Sequence, residues 1–497
     1  MKKTIYLGLV SLFFLSCSKD YLETSPTDKV DDKAIFSSIE NVETVINGVY
    51  RYMFERTTAV SSNVQNKPGV GGILLSNDFL AEDLHISSST WFTGTGDGNW
   101  NGHRIDNGAN TAYVYRTFYR IIGNANAVLD NIDLLDAPVD QKAKLKSQAL
   151  VLRAYAYSYL VQYYGKRYDA SSKPNNQLGV PLPLSQKDNK MPRVSVEEVY
   201  TAINKDLDEA IGLNVTTRAD KSQTNVWIAK GLKARVALTM QDYDNAIKYA
   251  REVINSQAFR LMNVEEYKSG FNNANLSEFM WASMPSEDQG DTFGSFFAQI
   301  AYNANTSFQR ANPKRINSVL YDFLPATDVR KSMWESAPTA ANFPLPASNF
   351  VRQPFMSRKF SIKAAGGTLG DVSLMRLSEM YLIEAEAYAS KTQAGPAQNV
   401  LHEINSVRNP GAIKSTKTGN ELLKEIWSYR RAELWGEGFR FLDLKRLNQD
   451  MDRDAVPNFT SASVGGFMLV KAGDDKWQFL IPRSEMENNP NIGEQNK

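Results

Sequence analysis

The chain has 497 residues, with 56 Lys and Arg against 55 Asp and Glu and a formal net charge of +1. That balance offers neither the basic footprint of a nucleic-acid binder nor the acidic excess of a disordered, solvating chain. A single cysteine excludes an intrachain disulfide and a Cys-based zinc or iron–sulfur cluster, and three histidines argue against a His-rich metal centre.

The N-terminus reads as an address. Met1-Lys2-Lys3 precedes an apolar run from Ile5 to Leu15, too short for the roughly 20 residues that span a bilayer and fitting a signal peptide. Phe14-Leu15-Ser16-Cys17 resembles a bacterial lipobox, although Phe14 replaces the usual aliphatic residue. The resemblance implies cleavage before Cys17 and lipidation of its thiol and new amine. Lys19-Asp20 resembles the charged export signal of surface-exposed lipoproteins. Residues 1–16 are therefore expected to be a signal peptide, and 17–40 a lipidated start and tether. No later stretch is long and apolar enough to cross a membrane.

Asn63 to Gly108 is rich in Gly, Asn and Ser, and loops this long in a compact protein are usually functional. Asp97, Asn99, Asn101 and Gly102 spell the front half of an EF-hand loop, but the twelfth position is Gly108, which has no carboxylate for calcium. Recognition of a sugar suits these residues better. A pyranose presents an apolar face to an aromatic plane and hydroxyls to donors and acceptors. Trp91 and Trp100 supply candidate planes; Asp97, Asn99, Asn101 and Arg104 supply candidate hydrogen bonds.

Helical spacing dominates next. Leu145, Ala149, Leu152, Ala156, Tyr159 and Tyr163 share one face, with Gly165 as a stop. Ser195 and Glu198 have capping-box spacing, and Val199, Ile203, Leu207 and Ala210 continue that face. A pair from about Asn225 to Ile254 turns at Gln241-Asp242 and resembles a tetratricopeptide (TPR) unit. Ala234 and Ala246 stand where such repeats place small residues; the spacing returns at Ala385 and Ala397. Lys230 and Tyr381 occupy positions usually held by Trp, so an irregular TPR-like scaffold is expected.

Asn272 to Gly370 carries many Asn, Pro and aromatic residues with little helical period. Tyr302 and Trp334 are its candidate ligand contacts; Trp281, in an apolar run, reads as core. The expected organisation is a helical part over 41–265, a loop-rich inserted region over 266–371 and a helical part over 372–497. The expected fold class is mainly α: a TPR-like α-α superhelical scaffold with a loop-rich ligand-binding region carrying few short strands. The Arg, Glu and Asp residues from Arg430 to Arg446 read as paired structural charges.

Several anchors in order resemble the SusD/RagB family of outer-membrane nutrient-binding lipoproteins. They are Cys17 to Leu22; Arg116 to Ile132; Arg153-Ala154-Tyr155 with Tyr163-Tyr164-Gly165 and Val180 to Pro183; Arg376 to Leu382 with Glu384 to Ala387; Arg430 to Arg446; and Ile481-Pro482 with Asn489-Pro490. Tyr429 stands where the family usually has Glu, and Gly436 replaces a bulkier residue. The resemblance implies a surface lipoprotein that captures an oligosaccharide without altering it and passes it to a TonB-dependent (SusC-like) outer-membrane transporter. It implies no cofactor, no metal and no nucleic-acid partner. A peptide- or protein-binding TPR-type lipoprotein is the alternative. No P-loop or G-x-S-x-G elbow is present.

Overall fold

A computed structural model describes residues 36–56, 67–87, 98–289 and 294–497. Its long helices are α1 (Ile39–Tyr52), α2 (Gly69–Leu80), α3 (Ala109–Asn131), α4 (Val139–Tyr164), α5 (Val196–Gly212), α6 (Val226–Thr239), α7 (Tyr243–Ile254), α8 (Leu377–Ser390), α9 (Ala394–Arg408), α10 (Gly419–Glu433) and the shorter α11 (Arg440–Arg446). The described strands are at most five residues long. The expected mainly α class is the one observed.

The helices pack as a row. Each of α3 to α7 lies against the next, α7 lies against α8, and α8 against α9 and α10. The two TPR-like pairs, α6/α7 and α8/α9, thus stack directly although the inserted region separates them in sequence. Ala234, Ala246, Ala385 and Ala397 are all fully buried, which lets the paired backbones approach closely. Local signals account for the helix ends. Ser195 accepts from Glu198 N while Glu198 reaches back to Ser195 N, a complete capping box. Asn225 accepts from Trp227 N and Ile228 N to start α6, and Asp242 caps α7. Gly165 does end α4, but by close approach: its φ is −91°, and a Cβ there would lie 2.7 Å from Val161 O.

One expectation needs correction. Within the Gly-rich stretch from Asn63 to Gly108, Gly69–Leu80 is helical and buried except at Ser76. Its glycines lower helix propensity, but burial on every side favours a helix that satisfies its own backbone. The inserted region is irregular yet tightly packed. Phe271, Phe279, Phe296, Phe297, Trp334 and Phe360 join Leu75 and Phe79 of α2 and Trp435 in a second apolar core.

The turn between α10 and α11 is clamped by the end of α2. Asn77 donates to Gly438 O at 2.9 Å, and Asp78 accepts from Gly438 N at 2.9 Å. Burial pushes the Asp78 carboxyl up to about 8, against the lowering effect of that hydrogen bond. The folded carboxyl therefore holds its proton where the unfolded one, near pKa 3.9, has lost it. Stability should fall as pH rises from about 4 to about 8. Asp78→Asn is expected to match the wild type near pH 4 and to exceed it at pH 8 by on the order of 1–2 kcal/mol. Denaturant midpoints at the two pH values check this; equal midpoints at pH 8 refute it.

Candidate functional site

One small antiparallel sheet gathers both loop regions. Leu84–His85 pairs with Arg315–Ile316, which pairs with Met356–Ser357, which pairs with Trp334–Glu335. The first strand leads into the segment that returns at Gly98. The second follows Tyr302–Asn312, and the last two bracket residues 336–355. Strands far apart in sequence therefore meet in one sheet.

Buried charges hold these strands on the helical scaffold. Arg376 bonds Glu278 at 2.5 Å, Glu433 at 3.1 Å and Glu437 at 2.7 Å. Arg408 bonds Glu278 at 2.6 Å and Glu433 at 3.0 Å. Lys359 reaches Glu437 at 2.7 Å, and Arg330 pairs with Asp328 at 2.6 Å and approaches Glu433 at 3.7 Å. Four cations meet four anions, so the cluster is neutral, and all eight residues are buried. Burial works to raise the Glu433 pKa, but Arg408 and Arg376 outweigh it and hold the carboxyl well below its usual range. The expected structural role of the Arg430–Arg446 stretch agrees with its pairings: Arg430 and Arg446 each bond Asp443 at 2.7 Å, and Arg440 bonds Glu82 at 2.6 Å. Tyr429 forms no ion pair; its ring faces the Arg330 guanidinium at 4.6 Å, a cation–π contact in place of a carboxylate.

A second anchor fixes the ends of the first loop region. Arg453 is fully buried and donates to Phe79 O, Ala81 O, Gly98 O and Phe467 O. Trp435 Nε1 donates to Asp83 O at 2.8 Å, and Arg431 pairs with the Asp83 carboxylate. His85 contacts Arg315, Thr460 and Ser463. Burial, reinforced by Arg315, drives its pKa down to about 2. Burial likewise lowers His103 to about 3; its ring stacks on Phe479 and Nε2 bonds Lys476 O at 2.9 Å. Both rings are neutral and packed. Among the described residues no His, Cys, Asp and Glu group is arranged to hold a metal.

The expected ligand residues divide accordingly. Trp91 and Asp97 lie outside the described residues. Asn101 is exposed; half-buried Asn99 accepts from its backbone N at 3.1 Å and lies against Gly465. Tyr302 is half-buried, edge-on to Phe343 at 5.5 Å. Three residues are placed otherwise than expected. Trp100 is fully buried, bonded through Nε1 to Leu80 O at 2.8 Å and edge-on to Trp477 at 4.8 Å, so it offers no plane to a ligand. Trp334 is buried edge-on to Trp435 at 5.6 Å. Arg104 bonds the carbonyls of Asp475, Gln478 and Lys497, which fixes the C-terminus. Polar neighbours did not signal exposure here, because partners at 371 to 393 residues' separation cover them. Long separation likewise hid Arg315, 230 residues from His85, and Arg453, 374 residues from Phe79, from any spacing argument. Trp281, expected in the core, is there, with Nε1 on Ser222 O at 2.9 Å.

The described residues thus form a helix-pair scaffold that carries an inserted, loop-bearing second core. A family model described as "Starch-binding associating with outer membrane" matches residues 20–238, and the "SusD family" model matches residues 234–497. The chain belongs to the SusD/RagB family. It is 23% identical over 495 residues to a SusD-like protein of Bacteroides ovatus, covering 90% of this chain and 84% of that one. It is 24% identical to a SusD-like protein of Formosa agariphila, covering 90% and 91%. A SusD-like carbohydrate binding protein from Bacteroides vulgatus superposes with a TM-score of 0.77 at 25% identity, covering 92% of this chain and 97% of that one. Surface glycan-binding protein A from Bacteroides fluxus superposes at 0.70 and 17% identity, covering 93% and 99%.

Proposed function

We propose that this protein is a lipid-anchored surface protein of the outer membrane that binds glycan nutrients, without altering them, and delivers them to a TonB-dependent transporter. Membership of a family whose N-terminal model is described as starch-binding and associated with the outer membrane carries this reading. The similar structure titled as a carbohydrate binding protein supports it. Cys17, which lies outside the described residues, is the proposed lipidation site. No described helix is long and apolar enough to cross a membrane. The prominent acids also suit a non-catalytic role. Glu278, Glu433, Glu437 and Asp443 are buried and bonded to Arg, whereas glycoside hydrolysis needs two carboxyls facing a substrate.

The ligand contacts proposed are Trp91, Asp97, Asn99, Asn101 and Tyr302. Trp91→Ala is expected to weaken binding of the cognate glycan about tenfold, because ring stacking contributes on the order of 1 kcal/mol. Trp100→Ala should act on the fold instead, at a cost of about 3–5 kcal/mol. Isothermal titration against a panel of plant, algal and host polysaccharides, with thermal melts in parallel, separates the two effects. Retention of no glycan in the panel would overturn the glycan reading.

A further inference from the structure

A pocket on the scaffold has no role in the reading above. It has a volume of about 300 Å³ and is bounded by residues 166–177, the end of α11 and residues 472–478. About 300 Å³ lies at the small end of ligand sites, room for one sugar ring rather than a chain.

Its floor and its rim differ in chemistry. Leu444 and Trp477 are buried in the floor. Trp477 Nε1 already donates to Lys471 O at 2.7 Å, so the indole offers carbon surface only. Lys445 turns its ammonium to Gln162 O, Gly165 O and Trp477 O, so it is no free cation either. The rim is the reverse. Lys166, Asn448, Gln449 and Asp475 line the mouth, and their side chains have no hydrogen-bond or ion-pair partner among the described residues. Asn448 takes a φ of +53° just past α11, a conformation Asn tolerates better than most residues.

This combination selects a ligand class. An apolar ligand would strip water from the rim groups without replacing their hydrogen bonds. An anion would meet Asp169, Asp474 and Asp475 beside a single free lysine. A neutral polyol with one apolar face satisfies both surfaces, its C–H face on the floor and its hydroxyls on amide, ammonium and carboxylate groups. We infer that this pocket is a second saccharide site, taking a single pyranose ring, free or at a chain end. The assignment rests on the glycan reading for the class of ligand but not for its location. Trp477 links the pocket to the first loop region through its edge-on contact with Trp100.

The test is saturation-transfer NMR on the mature protein with free glucose, galactose, mannose and xylose. At least one sugar is expected to bind saturably. Gln449→Trp, which fills the pocket, should weaken that binding at least tenfold. Gln449→Ala and Asp475→Ala, which only remove rim groups, should each weaken it several-fold. Absence of saturable binding by all four sugars overturns the site, as does binding indifferent to Gln449→Ala, Asp475→Ala and a folded Gln449→Trp. Polysaccharide retention is measured on the same samples. Retention without monosaccharide binding sinks the second site alone. Pocket binding without retention of any polysaccharide keeps the site and sinks the proposed uptake role.

Discussion

Glu433→Ala is expected to destabilise the protein by about 3–5 kcal/mol, the range for breaking a buried ion pair from one side. The Glu433 carboxylate is fully buried and serves Arg408 and Arg376 directly, with Arg330 at 3.7 Å. Its removal leaves four cations facing three anions in a dry interior. Glu433→Gln should recover only part of the loss, because an amide keeps the volume but not the charge. The pH dependence has a definite sign. Burial works to raise the Asp443 pKa, but Arg430 and Arg446 outweigh it and hold it at about 2, below the ordinary value. A depressed carboxyl contributes stability that is complete above the unfolded value near 4 and is lost as pH falls through the folded one. Glu433 is depressed in the same direction. The wild type should therefore lose stability steeply from pH 4 downward, and Glu433→Ala should show a shallower acid limb. Urea midpoints between pH 7 and pH 3 measure both. A variant within about 1 kcal/mol of wild type at pH 7 would mean that the network is energetically idle.

Gly438→Ala is the second large effect, expected at about 2–5 kcal/mol. Its φ is +84°, and a Cβ there would lie 2.6 Å from both Cα and Cβ of Leu74. The left-handed conformation costs an L-residue roughly 1–2 kcal/mol, and forcing a methyl into a packed contact adds about 1–3 kcal/mol. The contact is with helix backbone, so no side-chain rotation relieves it. The same substitution would strain the Asn77 and Asp78 clamp on Gly438. Gly123→Ala, where a Cβ meets nothing within 4 Å, is the matched control and should be neutral or slightly stabilising. Equal melting temperatures for the two variants would remove the close-packing argument.

Much of the scaffold was legible because its signals are local. The Ser195–Glu198 box, the Asn225 cap and the alanines at 234, 246, 385 and 397 each act through neighbours within a few turns of helix or through a repeat spacing. The family anchors were legible for a related reason. Arg376, Glu433, Glu437, Arg440 and Asp443 belong to charge networks whose geometry demands those residue types. Tyr429 marks the departure, and a ring beneath Arg330 fills the position.

The candidate site was far less legible. Trp100 and Asn101 adjoin in sequence, yet one lies in the core and the other faces solvent. Period arguments fail in an irregular segment, where burial depends on what distant chain arrives. Trp477 covers Trp100, Trp435 covers Trp334, and the carbonyls of residues 475–497 occupy Arg104.

Composition, helical spacing and ordered motifs by themselves determined the α-helical class, the stacked pairs and the family, since each depends on short-range periodicity or on residue identity. Tertiary structure alone decided which aromatics are buried in the core, and how the inserted region seats on the helices. Those outcomes depend on contacts between residues hundreds of positions apart, whose desolvation no local pattern encodes.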